Sequence, residues 1–337
     1  MTLRGLLAVC LLSLLPTVSG AMTVEQAEAE LLLRATALSA AGAPGLKGRD
    51  GWYFIPPELR AYGVGQFWGS RATEVSRAPK DQDPLPTLIA FHEMLARAGI
   101  DLIVVPVPGK VSIYPDMLDP PIEVQGRIDS AYVEFYRELA KAGITVLDLV
   151  PYFQQLRQSG TAPFCKQDTH WSPQGLMLAA EQIAGLIKTQ PWYATALRHP
   201  ATLTPKTVEV HGDIVATLLK DLSVPPEPLT LQQVKLAGGW IDSDATSPIV
   251  LMGDSDTLVF HRSDLLGEHS GLSDHLAAQL GITPDLVGVM GGGANASRVA
   301  LARRRDNLAG KKCVVWVFRA SEFTETDEGW RPIPVIR

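Results

Sequence analysis

The chain is 337 residues long, 46% of them hydrophobic and 20% charged, which suits a globular protein with a sizeable core. Thirty Lys and Arg face 36 Asp and Glu, and the net charge of −6 speaks against nucleic-acid binding and against a polybasic membrane patch.

Residues 1–21 read as a secretory signal. Arg4 gives a positive start, Leu6 to Leu15 is an apolar core, Pro16 breaks it, and Ser19-Gly20-Ala21 offers small residues for cleavage. The apolar stretch is about 10 residues, short of the roughly 20 that a spanning helix needs, so cleavage is expected rather than a retained inner-membrane anchor. No later stretch is apolar enough to cross a membrane, and a soluble periplasmic chain is expected. Removal of the leader leaves Cys165 and Cys313. An oxidising compartment permits a bridge between them, and two isolated thiols fit equally well.

Val24 to Ala41 has helical spacing, and Asp50 to Ile55 follows as a turn and a short aromatic strand. Pro84 to Gly99 reads as a helix, Asp101 to Pro108 as a buried strand, Gly126 to Ala142 as a helix and Ile144 to Leu149 as a strand. Ser172 is a candidate N-cap with Pro173 at the first helical position, which predicts a helix to Thr189. Residues from about 190 to 247 are Pro-rich and broken, so loops and small elements are expected, an insertion into one domain spanning 22–337. Pro248 to Met252 restores a buried strand, followed by a helix (Leu272 to Gly281), a strand (Asp285 to Met290), a helix (Asn295 to Asn307) and a last strand (Lys312 to Phe318). This alternation predicts an α/β fold, a mainly parallel sheet with helices on both faces. Ligand sites in such sheets gather at the carboxyl ends of strands, where Ser255, Gly291–Gly293 and Lys110 all fall.

Gly253-Asp254-Ser255 ends the buried run at Met252. A tight turn there presents the Ser255 hydroxyl over the sheet edge, though the same tripeptide serves as an ordinary strand-to-helix turn. Asp168 and His170 lie two apart, so both side chains of an extended segment point to one side. The carboxylate can then hold one imidazole nitrogen while the other takes a proton from Ser255. A metal-ligand pair or a surface turn is the alternative; no second cluster at ligand spacing accompanies the pair, so no metal is expected. His261, His269 and His275 share no helix face and read as surface histidines.

Gly291, Gly292 and Gly293 follow a strand directly and can bring backbone N–H groups close to an oxyanion, with Asn295 as a side-chain donor. A purely conformational role competes; a phosphate loop lacks its Lys-Ser/Thr here. Asn295-Ala296-Ser297 also matches a glycosylation sequon. Lys110 and Tyr114 are candidates to line the site and steady an anionic substrate or acyl group. Otherwise they are a solvated lysine and a tyrosine packed at the rim.

Six blocks in order resemble the AlgJ/AlgX group of alginate O-acetyltransferases, whose domains are SGNH-hydrolase-like. They are Asp50-Gly51-Trp52-Tyr53-Phe54; Pro108-Gly109-Lys110 with Ile113-Tyr114-Pro115; Asp168-Thr169-His170-Trp171-Ser172-Pro173-Gln174-Gly175; Gly253-Asp254-Ser255; Gly291 to Ser297; and Val314 to Phe318. The resemblance implies a triad of Ser255, His170 and Asp168, with the motif order permuted relative to ordinary SGNH esterases. It implies periplasmic acetylation of hydroxyls on an exported polysaccharide, alginate or similar. A membrane-bound O-acyltransferase as acetyl donor and other exopolysaccharide secretion proteins are the implied partners; no cofactor and no nucleic acid are expected. Asp256 departs from the family, which usually has an apolar residue there. The chain ends soon after Trp330, without the carbohydrate-binding module of AlgX, which makes AlgJ the nearer expectation. An SGNH-type carbohydrate acetylesterase and a non-catalytic scaffold for a membrane acyltransferase remain as alternatives.

Overall fold

The computed structural model describes residues 21–337. The leader expected at 1–21 lies almost wholly outside the described residues. In chain order the strands are β1 (Leu46–Lys47), β2 (Tyr53–Phe54), β3 (Asp101–Val107), β4 (Thr145–Val146), β5 (Ala201–Val210), β6 (Glu227–Leu236), β7 (Gly239–Trp240), β8 (Ile249–Gly253), β9 (Asp285–Gly288) and β10 (Cys313–Arg319).

Five of them build the central sheet in the order β4-β3-β10-β8-β9, all pairs parallel. β8 is buried along its whole length, and β10 from Cys313 to Phe318. That is the mark of strands covered on both faces, and it places their Val- and Ile-rich sequences at the centre. The predicted α/β fold is thus the observed one. Among the described residues no helix is long and apolar enough to cross a membrane.

Helices start where caps allow. The Ser172 hydroxyl accepts from Gly175 N–H at 3.0 Å and opens the helix Pro173–Lys188. The helix expected from Gly126 begins only at Ser130, because Gly126 adopts φ +107°, outside the helical region. The expected strand Ile144 to Leu149 shrinks to β4, and the helix Val150–Gln158 takes over, its first N–H held by the Asp148 carboxylate at 3.1 Å.

The stretch from 190 to 247 departs most from expectation. It forms an antiparallel pair of ten-residue strands, β5 and β6, with β7 as a third strand. β5 is largely exposed, so no apolar alternation betrays it, and Pro205 is tolerated because β5 is an edge strand. Val234, Leu236 and Ile241 pack this small sheet onto Ala277 of the helix Leu272–Leu280.

Cys165 and Cys313 are both free and buried. The reading of three surface histidines fails for two of them. His275 is buried, which pushes its pKa down to about 4, and His261 is paired with the Asp274 carboxylate at 2.8 Å.

Candidate active site

β8 delivers the nucleophile candidate. Gly253 closes the strand so tightly against β10 that a Cβ there would lie 2.1 Å from the Val317 carbonyl oxygen. The chain then turns at Asp254, whose carboxylate accepts from the N–H of Asp256 at 3.0 Å and of Arg319 at 3.2 Å. Ser255 opens a single 3₁₀ turn, and its own N–H has no backbone partner among the described residues.

The base candidate comes from the loop before the helix Pro173–Lys188. Lys110 holds this loop from beneath: its ammonium donates to the carbonyls of Asp168 at 2.6 Å, Tyr53 at 2.9 Å and Lys166 at 3.2 Å. Asp168 accepts at Oδ1 from the His170 backbone N–H at 3.0 Å and contacts His170 Nδ1 at 2.6 Å. Its Oδ2 accepts from the Asp213 N–H at 2.7 Å. His170 Nε2 reaches Ser255 Oγ at 2.8 Å. The Ser–His–Asp row is therefore complete in its hydrogen bonds.

The electrostatics follow from these contacts. Burial alone would raise the Asp168 carboxyl, but the charge of His170 and hydrogen bonds from His170 and the Asp213 N–H hold it well below the usual carboxylate range. Burial would lower the His170 pKa and Arg319 opposes protonation too, but the charge and hydrogen bond of Asp168, joined by the charge of Asp256, together raise it. Asp254 is pushed up to about 7 by burial and by the charge of Asp256.

Ser255, His170 and Asp168 open into a pocket of about 610 Å³, which Gly291 and Gly293 also line. The other candidates lie elsewhere. Gly292 donates its N–H to the Val289 carbonyl at 3.1 Å and has none left for an oxyanion. Asn295 is buried, donating to the Gly329 carbonyl and accepting from Arg298, so neither an oxyanion nor a glycan can use its amide. Lys110 is not at the pocket but buried behind it, where three carbonyls satisfy its ammonium. Tyr114 is packed against Trp52, ring centroids 3.9 Å apart, with the Arg157 guanidinium over its ring.

Sequence reasoning missed four residues. Thr169 donates from its N–H to Asp213 Oδ1 at 2.7 Å and accepts at Oγ1 from Arg319 Nη2 at 2.6 Å. Arg319 also meets the buried Asp256 at 3.3 Å and supplies its counter-charge. Glu322 accepts from the Ala294 N–H at 3.2 Å and faces the pocket. The strand-end rule that singled out Ser255 applies equally to Arg319, the last residue of β10. Asp213 carries no such signal. It sits on the connection between β5 and β6, and Gly212 brings it in: a Cβ there would lie 2.3 Å from Gln167 backbone atoms. Asp168, His170 and Asp213 have ligand-type atoms within 4.8 Å of one another, but these are already engaged by one another, by Thr169 and by backbone N–H groups.

An α/β sheet that presents a hydrogen-bonded Ser–His–Asp row at its carboxyl edge is the architecture of SGNH hydrolase-like proteins. The sequence model described as "SGNH hydrolase-like domain, acetyltransferase AlgX" matches residues 46–324, and the chain belongs to that family. Among curated relatives named "Probable alginate O-acetylase AlgJ", that of Pseudomonas fluorescens is 30% identical over 226 residues, covering 64% of this chain and 54% of the relative. That of Pseudomonas syringae pv. tomato is 27% identical over 224 residues, 65% of this chain and 53% of the relative. The chain thus spans about half the length of these relatives. The solved O-acetyltransferase domain of Pseudomonas putida AlgJ superposes with a TM-score of 0.63 at 20% identity, over 84% of this chain and 93% of that one. Pseudomonas aeruginosa AlgX gives 0.64 at 18%, over 87% and 66%. These two similarities concern the fold.

Proposed function

We propose that this protein is a serine O-acetyltransferase that carries an acetyl group on Ser255 to a hydroxyl of an exported polysaccharide. The observation that supports it most is the continuous hydrogen-bond row from Ser255 Oγ to His170 at 2.8 Å and on to Asp168 at 2.6 Å. His170 Nε2 takes the Ser255 proton as Oγ attacks the acetyl carbonyl. The Ser255 N–H, with that of Gly291 as a second donor, holds the oxyanion. The proton passes to the leaving group, and an acetyl ester remains on Ser255. A sugar hydroxyl then gives its proton to His170, attacks the ester and leaves acetylated, while the proton returns to Ser255. Each such step is worth roughly a hundredfold or more.

The expected secretory leader places this chemistry in the periplasm, with a membrane-bound O-acyltransferase as acetyl donor. Asp256, beside the nucleophile, is paired with Arg319 and so is compatible with a working site. The test is acetyl release from a chromogenic ester, together with fluorophosphonate labelling. Ser255→Ala should abolish both, and surviving release would sink the nucleophile assignment. An acetylesterase uses the same row with water as acceptor. Weighing oligosaccharide products separates the two.

A further inference from the structure

A second imidazole lines the pocket above Ser255. It belongs to His211, half-buried on the connection that leaves β5. Neither of its ring nitrogens bonds to another of the described residues, and of the two only Nδ1 is enclosed. The other ionisable side chains of the lining are engaged. Asp168 meets His170, Asp213 accepts from Thr169, Asp254 accepts from two backbone N–H groups, and Glu322 accepts from the Ala294 N–H. Arg319 donates to Thr169 and Asp256, and Asp264 pairs with Arg262 at 3.0 Å. The backbone that presents His211 is pinned as well. Gly212 packs against Gln167 too closely for a Cβ, and Asp213 is bonded at 2.7 Å both to Asp168 and to Thr169. Its neighbours thus fix where the imidazole stands, while Nε2 is left to a ligand.

We infer that His211 binds the acceptor: its Nε2 bonds a second hydroxyl of the sugar whose reacting hydroxyl faces His170. The inference rests on the acetyl-transfer reading of the same site and deepens it. In that reading the acceptor enters the space that the donor's leaving group has vacated, so polar groups outside the Ser–His–Asp row must orient it. One bond, from the reacting hydroxyl to His170, leaves the sugar free to pivot. A second bond from the same pocket fixes which hydroxyl stands over the acetyl carbon. The chemistry of the ring favours a hydroxyl as its partner. A neutral imidazole carries its proton on one nitrogen or the other, so Nε2 either donates or accepts, and a hydroxyl can meet both cases. A carboxylate accepts only and would fit one tautomer.

The test uses the full chain with nitrophenyl acetate as donor. The acceptors are a uronate oligosaccharide and its carboxyl-reduced, neutral counterpart, with products weighed by mass spectrometry. Each protein's transfer rate is normalised to its own nitrophenol release without acceptor. His211→Ala should raise the acceptor KM roughly tenfold, the loss of one hydrogen bond, with kcat for transfer little changed and the same effect on both acceptors. His211→Phe keeps a ring without nitrogen atoms and should match it. His211→Gln, whose amide also donates and accepts, should stay within about threefold of the wild type. A wild-type KM in the Ala and Phe variants overturns the inference. A loss confined to the uronate overturns it too, by assigning His211 to the sugar carboxylate. So does transfer to neither acceptor by the wild-type chain while nitrophenol release persists. Nitrophenol release no faster than that of Ser255→Ala is a different failure, that of the acyl-enzyme reading itself, and the inference about His211 falls with it.

Discussion

Arg319 donates from Nη2 to the Thr169 hydroxyl at 2.6 Å, while its Nε donates to Asp256 at 3.3 Å. Thr169 separates Asp168 from His170, and Asp256 follows Ser255. One guanidinium therefore joins the loop that carries the base to the turn that carries the nucleophile. Arg319→Met should lower kcat about 100-fold with little change in KM, because small misplacements of reacting groups cost that much. Arg319→Lys should recover only part of the loss, since a single ammonium cannot reproduce the fork. Steady-state kinetics on protein shown folded by circular dichroism decides this. A raised KM at unchanged kcat would instead make Arg319 a substrate-binding residue.

The His170–Asp168 contact sets a pH dependence. Burial would lower the His170 pKa, but the charge and hydrogen bond of Asp168, with the charge of Asp256, together raise it above the ordinary value of 6.5. His170 acts as a base only when neutral, so kcat/KM should fall as pH drops through that raised value. Asp168→Asn removes the larger of the two charge effects. The acid limb should then move to lower pH while kcat drops by about four orders of magnitude, the loss expected when the orienting carboxylate of such a row is removed. A pH–rate profile of both proteins checks the sign; a limb that stays in place would mean Asp168 is not the charge that His170 senses.

The parts legible in the sequence were those with strong local signals. Buried apolar runs marked β3, β8 and β10; spacing and turn chemistry made Asp168, His170 and Ser255 candidates, and the ordered family blocks joined them into a row. What escaped was decided by tertiary contact. β5 carries Thr and Lys on an exposed face, so nothing in its pattern distinguishes it from a loop. Asp213 reaches Asp168 across 45 positions of chain, a separation no motif encodes. Lys110 fell at a strand end, as a ligand-binding residue would, yet its ammonium turns inward to three carbonyls. Local sequence locates a strand end and leaves open which way a long side chain leaves it.

That inward lysine has a measurable consequence. Lys110→Met keeps much of the stem's volume but leaves the carbonyls of Tyr53, Lys166 and Asp168 without their shared donor. The Lys166 carbonyl keeps the Tyr53 N–H at 2.9 Å, while the other two lose this donor. An unsatisfied buried acceptor costs about 1–3 kcal/mol, so the variant should lose about 2 kcal/mol of stability or more in a denaturant titration. The Asp168 loop would relax with it, lowering kcat while KM holds. A variant of wild-type stability with a raised KM would return Lys110 to the substrate.

Gly253 makes a tight demand on the backbone of the site. Its φ is not in the left-handed region, so alanine is acceptable there on dihedral grounds; the obstacle is space. A Cβ would stand 2.1 Å from the Val317 carbonyl oxygen and 2.6 Å from Thr257 Cγ2. The first belongs to β10 and cannot move without breaking its pairing with β8; the second belongs to the turn that starts at Ser255. Gly253→Ala should therefore cost about 2 kcal/mol or more, as overpacking does, and should also shift the Ser255 hydroxyl away from His170. Denaturant midpoints and the rate of fluorophosphonate labelling measure the two effects separately. Lost stability with wild-type labelling would show that the turn absorbs the methyl group without moving its serine, and that the contact serves the sheet alone.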